Sequence, residues 1–307
     1  MAADYTAAGL LAEIRRRGRV PADDPDYTDA NLLLEADAQL NEVFVPLILR
    51  TRADYYMRYE DQTLVANQQA YSIPYRSSAS LIRQVIWIDS ASCESELQPV
   101  PPTDAAQWAT TTGTPVYYAI RDDQIIVMPA PNAAVGTLRV WYEYRPAKIV
   151  SSGYFTVQSV SSTDVVLTAS VTWTAASRYD FIKGKPPFAL LSVDADPTGT
   201  GTSATVPFAS IASRIEAGDY MCLPGESPVP QLPAELQSAL ALAVVAEVLL
   251  QYSPDESVIR ISQLEKVLSE WGSVLAPRQR GRSIKVVNRN SAMRRSRTSR
   301  RSSNLGP

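Results

Sequence analysis

Apolar positions recur every three or four residues at both ends of the chain and alternate with polar ones through its middle. Near the N-terminus, Leu33, Ala36, Leu40, Val43, Phe44 and Leu47 fall on one helical face. Thr28 is placed to cap that helix, and Asp29 puts a negative charge at its positive dipole end. The pattern predicts one helix over residues 28–59, about 45 Å long at 1.5 Å per residue. Pro46 lies inside it and removes a backbone donor, so a kink or break is expected there. A shorter amphipathic helix over residues 6–17, closed by Gly18, precedes it across a Pro- and Asp-rich turn at residues 21–26. At the other end, Pro233 suits a first helical turn, and residues 234–250 are apolar nearly all round, the mark of a crowded interior. Ser253 and Pro254 interrupt the pattern, after which Val258, Ile261, Leu264, Leu268, Trp271 and Leu275 form a single stripe.

Between these ends the period changes to two. Residues 69–73, 81–88, 116–120, 124–128 and 137–144 read as half-buried strands, with a tight hairpin connection at Arg121–Asp123. Residues 99–102 break the chain, and 104–108 suggest one helical turn. Trp87, Tyr118, Trp141, Tyr142 and Tyr144 lack the regular basic neighbours of a base-stacking platform, so they read as sheet core or subunit contact. Residues 151–224, rich in Ser, Thr, Val and Gly, read as further short antiparallel strands, either a small barrel or an elaboration of the first sheet. The expected fold class is α+β, with N- and C-terminal helices forming a bundle, a large antiparallel β insertion and an extended C-terminal tail. The expected units are residues 1–66 with 230–275 (helical bundle), 67–150 (β domain), 151–229 (second β segment) and 276–307 (basic tail).

Composition narrows the chemistry. Histidine is absent, which removes the commonest general base and the commonest metal ligand. Two cysteines in unrelated contexts give neither a disulfide framework nor a zinc spacing, and fit synthesis in a reducing cytoplasm. The acids at 21–26 lack the alternation and glycine of a calcium loop. The GTGT at 199–202 is followed by no GK[ST] and opens no helix, so it is no phosphate loop. Asp122 and Asp123 are neighbours in a turn and cannot flank a substrate bond as a catalytic pair must. No catalytic residue, cofactor or metal site is expected. No apolar run reaches 18 residues, and the N-terminal charges follow the apolar residues, the reverse of a signal peptide, so no membrane contact is expected either.

The net charge of −3 hides an asymmetry. Of the 29 bases, ten lie beyond residue 275 with no acid among them, leaving 19 against 32 acids and a body at −13. The tail bases are Arg278, Arg280, Arg282, Lys285, Arg289, Arg294, Arg295, Arg297, Arg300 and Arg301, and Ile284, Val286 and Val287 are its one apolar run. Small polar spacers predict no independent fold for the free tail, and an acidic body with such a tail implies a partner for it.

The opening AEIRRRGRVP, the helix TDANLLLEADAQLNEVFVPLILRTRADYY, the stretch QQAYSIPYRSSASLIRQVIWID and the sheet segment GTPVYYAIRDDQIIVMPAPNAAVGTLRVWYEYRPA together resemble the head-to-tail adaptor (head-completion or connector) proteins of tailed bacteriophages. The likeness spans roughly residues 7–150 and the helices of 232–275; residues 151–224 have no match in it. The resemblance implies a virion protein of the phage neck, made in the host cytoplasm. It implies a homo-oligomeric ring, commonly of twelve subunits, joining portal to a downstream tail or nozzle protein, with genomic DNA passing through unread. On this reading the thirteen tail residues just named bind portal. The bundle and subunit interfaces are then formed by Leu33, Leu40, Phe44, Leu47, Leu240, Val244, Val258, Ile261, Leu264, Leu268 and Trp271. Two other classes compete: a packaging protein whose arginines neutralise phosphates, and a host-binding tail protein, given the many strands and tyrosines.

Overall fold

The computed structural model describes residues 4–103, 111–134, 136–161, 164–169, 178–195, 205–207 and 214–275. The first helix, α1 (Ala7–Gly18), starts at Thr6, whose hydroxyl accepts from the Gly9 amide at 3.3 Å. It ends on Arg19 in the left-handed conformation (φ 53°), so Gly18 is its last helical residue and not its stop. Gly18 is closely packed: a Cβ there would lie 3.2 Å from the Val20 side chain and 3.5 Å from that of Val245. The acidic turn that follows is held by Arg15, which donates to the Pro21 and Tyr27 carbonyls and pairs with Asp29 at 2.6 Å.

Helix α2 (Asp29–Gln39) is capped by Thr28, as its sequence demands. It passes through a π-helical turn, Leu40–Phe44, into α3 (Val45–Thr51). Proline has no N–H to give the carbonyl four residues back, and the widened turn sends the Val45 amide to Leu40 instead. The expected kink is therefore a local bulge that keeps both Leu40 and Phe44 fully buried. The helix is shorter than its sequence pattern predicts. It stops at Thr51, and Met57–Thr63 is a strand whose alternating Arg58, Glu60 and Gln62 suit a sheet, where pairing with Thr137–Tyr144 overrides helical propensity.

Helix α4 (Gln237–Tyr252), led in by a short 3₁₀ turn at Ala234–Leu236, is the centre of the helical layer. Leu240 and Val244 are fully buried in one core with Leu10, Ile14, Leu33, Leu40 and Phe44. By length and composition Ala234–Gln251 could cross a membrane, but 67% of it is covered inside the fold, as a core helix is. The chain reverses at Ser253 into α5 (Pro254–Leu275), where the buried Ser257 hydroxyl donates to the Ala246 carbonyl at 2.9 Å and sets the two helices side by side.

Among the described residues the strands form three larger sheets. The first has the order Met57–Thr63, Thr137–Tyr144, Ser77–Ile88, Glu94–Glu96, antiparallel throughout. The second runs Ala70–Ser72, Gln124–Met128, Tyr117–Arg121, Gln98–Pro99. Val85, Leu138 and Val140 of the first meet Tyr71, Ile125 and Val127 of the second in a common core. The hairpin at Arg121–Gln124 turns on Asp122 and Asp123, both at positive φ (49° and 57°), the geometry of a two-residue type I′ turn. Residues 151–229 build a third sheet of six strands, in the order Leu190–Ala195, Tyr179–Ile182, Tyr220–Cys222, Phe155–Val160, Asp164–Leu167, Thr205–Pro207. Among the described residues it is a separate sheet and adds no strand to the first. Strand alternation gives it two faces: Ile182 and Cys222 join the helical core, while Phe181 and Met221 join Val157 in a core of their own. The protein is mixed α and β, with helices from both ends of the chain sharing one core. The helical turn expected at 104–108 and the tail beyond 275 lie outside the described residues.

Candidate functional site

Two buried polar contacts tie separate layers together, and a third lies within the first sheet. Asp37, on α2, accepts the Ile149 amide at 2.9 Å and so ties the helical layer to the strand Lys148–Ile149. Its other carboxylate oxygen is buried without a protein partner, and burial raises its pKa to about 6. Arg76, between the second and first sheets, faces Asp180 of the third at 3.7 Å, both out of water, and Asp180 also accepts the Gly225 amide. Gly225 has a positive φ (+80°) that favours glycine, and a Cβ there would lie 2.8 Å from the Arg76 guanidinium and push it aside. Glu143, buried in the middle of the first sheet, is paired with Arg83. These groups are structural: each is committed to backbone or to a counter-charge.

Two surfaces are open. The first is on α5. Leu264, Val267, Leu268 and Trp271 rest half-buried on the helical core. Beyond that cover, the first turns leave Val258 and Ile259 at 63% and 58% exposure and Ile261 at 40%, and Val274 near the last turn is at 54%. Leu250, at the end of α4, is exposed as well. Four exposed aliphatic residues on one 22-residue helix are unusual without a partner.

The second is a groove of about 1180 Å³ between the first and third sheets. Met57–Thr63, Ala70–Ser72 and Leu190–Ala195 are each the outer strand of their sheet among the described residues, and each contributes to its wall. Tyr59 and Trp141 lie together on the wall with ring centroids 4.9 Å apart, and Arg139 stacks over Tyr59 while gripping Asp61 through two bonds. Carbonyls at the strand edges are met by side chains: Arg58 donates to Leu190 and Leu191, Gln62 to Ser72, and the Tyr55 hydroxyl to Pro187. At the base, the buried Tyr142 hydroxyl has no protein partner.

The residues singled out from sequence divide by depth. Leu33, Leu40, Phe44, Leu240 and Val244 are inside the subunit's own core. Leu47, Leu264, Leu268 and Trp271 sit at its margin. Val258 and Ile261 face outward. The tail residues from Arg278 to Arg301 lie outside the described residues. The groove left no trace in the sequence, because its walls come from strands some 130 residues apart whose edges meet only in the fold. Among the described residues no group of three or more Cys, Asp and Glu is placed to hold a metal ion. Cys93 is exposed, while burial pushes the Cys222 thiol up and keeps it inert.

Compared with known proteins, the chain matches a family model described as SU10 adaptor protein over residues 5–196. No curated protein matches it. The matched stretch takes in α1 to α3, the first two sheets and the opening strands of the third.

Proposed function

The chain belongs to the SU10 adaptor protein family, a phage head-to-tail adaptor family, and from that premise we propose that it forms the ring joining portal to tail. The family marks a structural component at the head–tail junction of a virion. The observation that carries the proposal is the match over residues 5–196. Twelve copies close around an axis, and the helices within residues 1–66 and 230–275 form the bundle that builds the ring. The portal sits above, a tail or nozzle protein sits below, and DNA passes down the middle. The outward Val258, Ile259 and Ile261 support it, since a closed ring supplies each subunit with an identical neighbour for a face that water would otherwise wet. The body charge of −13 supports a channel wall that does not grip phosphates. The arginine-rich tail, with Ile284, Val286 and Val287 as apolar anchor, takes the portal as its partner. Assembly takes place in the host cytoplasm, and no catalysis is involved.

Electron microscopy of the purified protein, alone and mixed with portal, tests this. Rings in either sample are the expected result. A protein that stays monomeric in both overturns the proposal, whereas a monomer that closes into rings only on portal supports it, with portal as template.

A further inference from the structure

We infer that the proline ridge at residues 99–102 of one copy docks in the groove between the first and third sheets of the next, joining the β parts of neighbouring copies head to tail. The inference deepens the ring reading and rests on it for the order of the copies. Whether the groove takes such a ridge is testable without a ring.

The ridge is the run Pro99, Val100, Pro101, Pro102, which breaks the chain after the strand Gln98–Pro99. Gln98, Val100 and Pro101 each precede a proline and are thereby held to extended backbone. The run is a short polyproline-type ridge, stiff before it binds. Pro99, Pro101 and Pro102 are all exposed. None of them has an N–H, and the Val100 amide already donates to the Tyr118 carbonyl at 2.9 Å. The ridge therefore offers ring faces and carbonyl acceptors, but no donor.

The groove suits that chemistry. Six of its twenty lining residues are Tyr or Trp (Tyr55, Tyr59, Tyr75, Trp141, Tyr142 and Tyr144), in a chain that is 8% aromatic. Aromatic-lined grooves are a recurrent seat of proline-rich segments, whose preformed extended shape costs little entropy to bind. Trp141 packs on Tyr59, which Arg139 covers while bonded to Asp61, so this wall is set before a ligand arrives. Tyr75 is 60% exposed. The Tyr142 hydroxyl, buried and without a protein partner, is a donor for a ridge carbonyl, through one water where the reach requires it. Arg58 spans to the Leu190 and Leu191 carbonyls and Gln62 caps that of Ser72, which leaves no open edge there for an added strand. A ligand without N–H groups needs none. Arg58 and Arg214 balance Glu60 and Asp61, so groove and ridge are both neutral, and copies whose bodies carry −13 meet here without repulsion.

Placement selects a second copy as the occupant. Among the described residues, Met57–Thr63 and Ala70–Ser72 are outer strands of the first and second sheets, and both line the groove. Glu94–Glu96 and Gln98–Pro99 are the outer strands at the opposite edges of those two sheets, and the ridge continues from the latter. Three strand spacings, about 14 Å, separate Ala70–Ser72 from Gln98–Pro99. A subunit cannot turn its own ridge into its own groove, whereas a neighbour can supply one. A contact between two different patches is heterologous, and repeated about an axis it closes into a ring.

The test uses the full chain and two variants: Pro101→Glu with Pro102→Glu on the ridge, and Ser72→Trp in the groove. All three positions are exposed, and an unchanged melting temperature verifies the fold. The first readout is fluorescence anisotropy of a labelled peptide of residues 96–103 titrated with the protein. Saturable binding to the ridge variant is expected, weakened at least about tenfold when Ser72→Trp fills the groove. No saturable binding, or equal binding with and without Ser72→Trp, overturns the inference. The second readout is sedimentation with portal, where wild type should form rings and neither variant should. If the peptide binds but both variants form rings normally, the groove takes a proline segment of another protein and the second-copy inference is overturned. If wild type forms no ring yet the peptide binds in the groove, the ring reading falls while the contact between copies stands.

Discussion

Leu40 and Phe44 flank the widened turn beside Pro46, and each is fully removed from water. Truncating either to Ala should cost about 2–5 kcal/mol, since a cavity in a core shared by helices from both chain ends relaxes poorly. Thermal melts within a degree of wild type would show that the site collapses without loss. Asp37 behaves differently. Folding raises its pKa to about 6, against about 3.9 for an unfolded Asp. Between those values the native state holds a proton that the unfolded chain releases, so stability is greatest below the window and falls as pH rises through it. Asp37→Asn keeps an acceptor for the Ile149 amide and carries no charge. The variant should therefore melt above wild type at pH 7.5, with the difference closing only as pH falls to about 4. A difference that is the same at both pH values would mean that Asp37 does not titrate as burial requires.

At the level of elements, period alone located the first and last helices, the break at Ser253 and Pro254, and the hairpin at Asp122 and Asp123. These are local decisions made by caps, prolines and alternation. The predicted helix overran into Met57–Thr63 because Met57, Tyr59 and Glu60 are tolerable in either state, and only the partner strand Thr137–Tyr144 decides between them. The independence of the third sheet was likewise illegible, since Ser- and Thr-rich strands do not show which neighbours they will choose. Helix α5 shows both sides of the matter. Its stripe was visible, but the stripe runs from half-buried Trp271 to exposed Val258, and sequence gives no sign of where cover stops. Val258→Asp with Ile261→Asp measures what that outer end does. The helix should stay folded, with a melting point within a few degrees of wild type, because surface substitutions typically change stability by only about 0.5 kcal/mol. Ring formation should be lost, as read by sedimentation with portal. Rings that form normally would place the subunit contact on another face.

For the whole molecule, the decisive asymmetry is between a body at −13 and a tail with ten positive charges. Arginine outnumbers lysine nine to one there, which favours forked contacts to carboxylates or phosphates over point charges. Deleting residues 276–307 should leave a folded protein that no longer stays on DNA-filled heads, scored by sedimentation of filled heads with bound adaptor. A truncated form that still seals heads and supports tail attachment would show the tail to be dispensable.

The helical core joined from both ends of the chain also sets an order in time. α3 ends at Thr51 and α4 begins at Gln237, so a ribosome must add some 185 residues before Leu240 and Val244 reach Leu40 and Phe44. At about 5–20 residues per second that wait lasts roughly 10–40 s. Throughout it α1 and α2 carry bare aliphatic surface in a crowded cell while three sheets are still being laid down. A nascent chain of this design needs shelter that its finished form does not, and production yield should respond to host chaperone supply more sharply than the stability of the mature subunit would suggest.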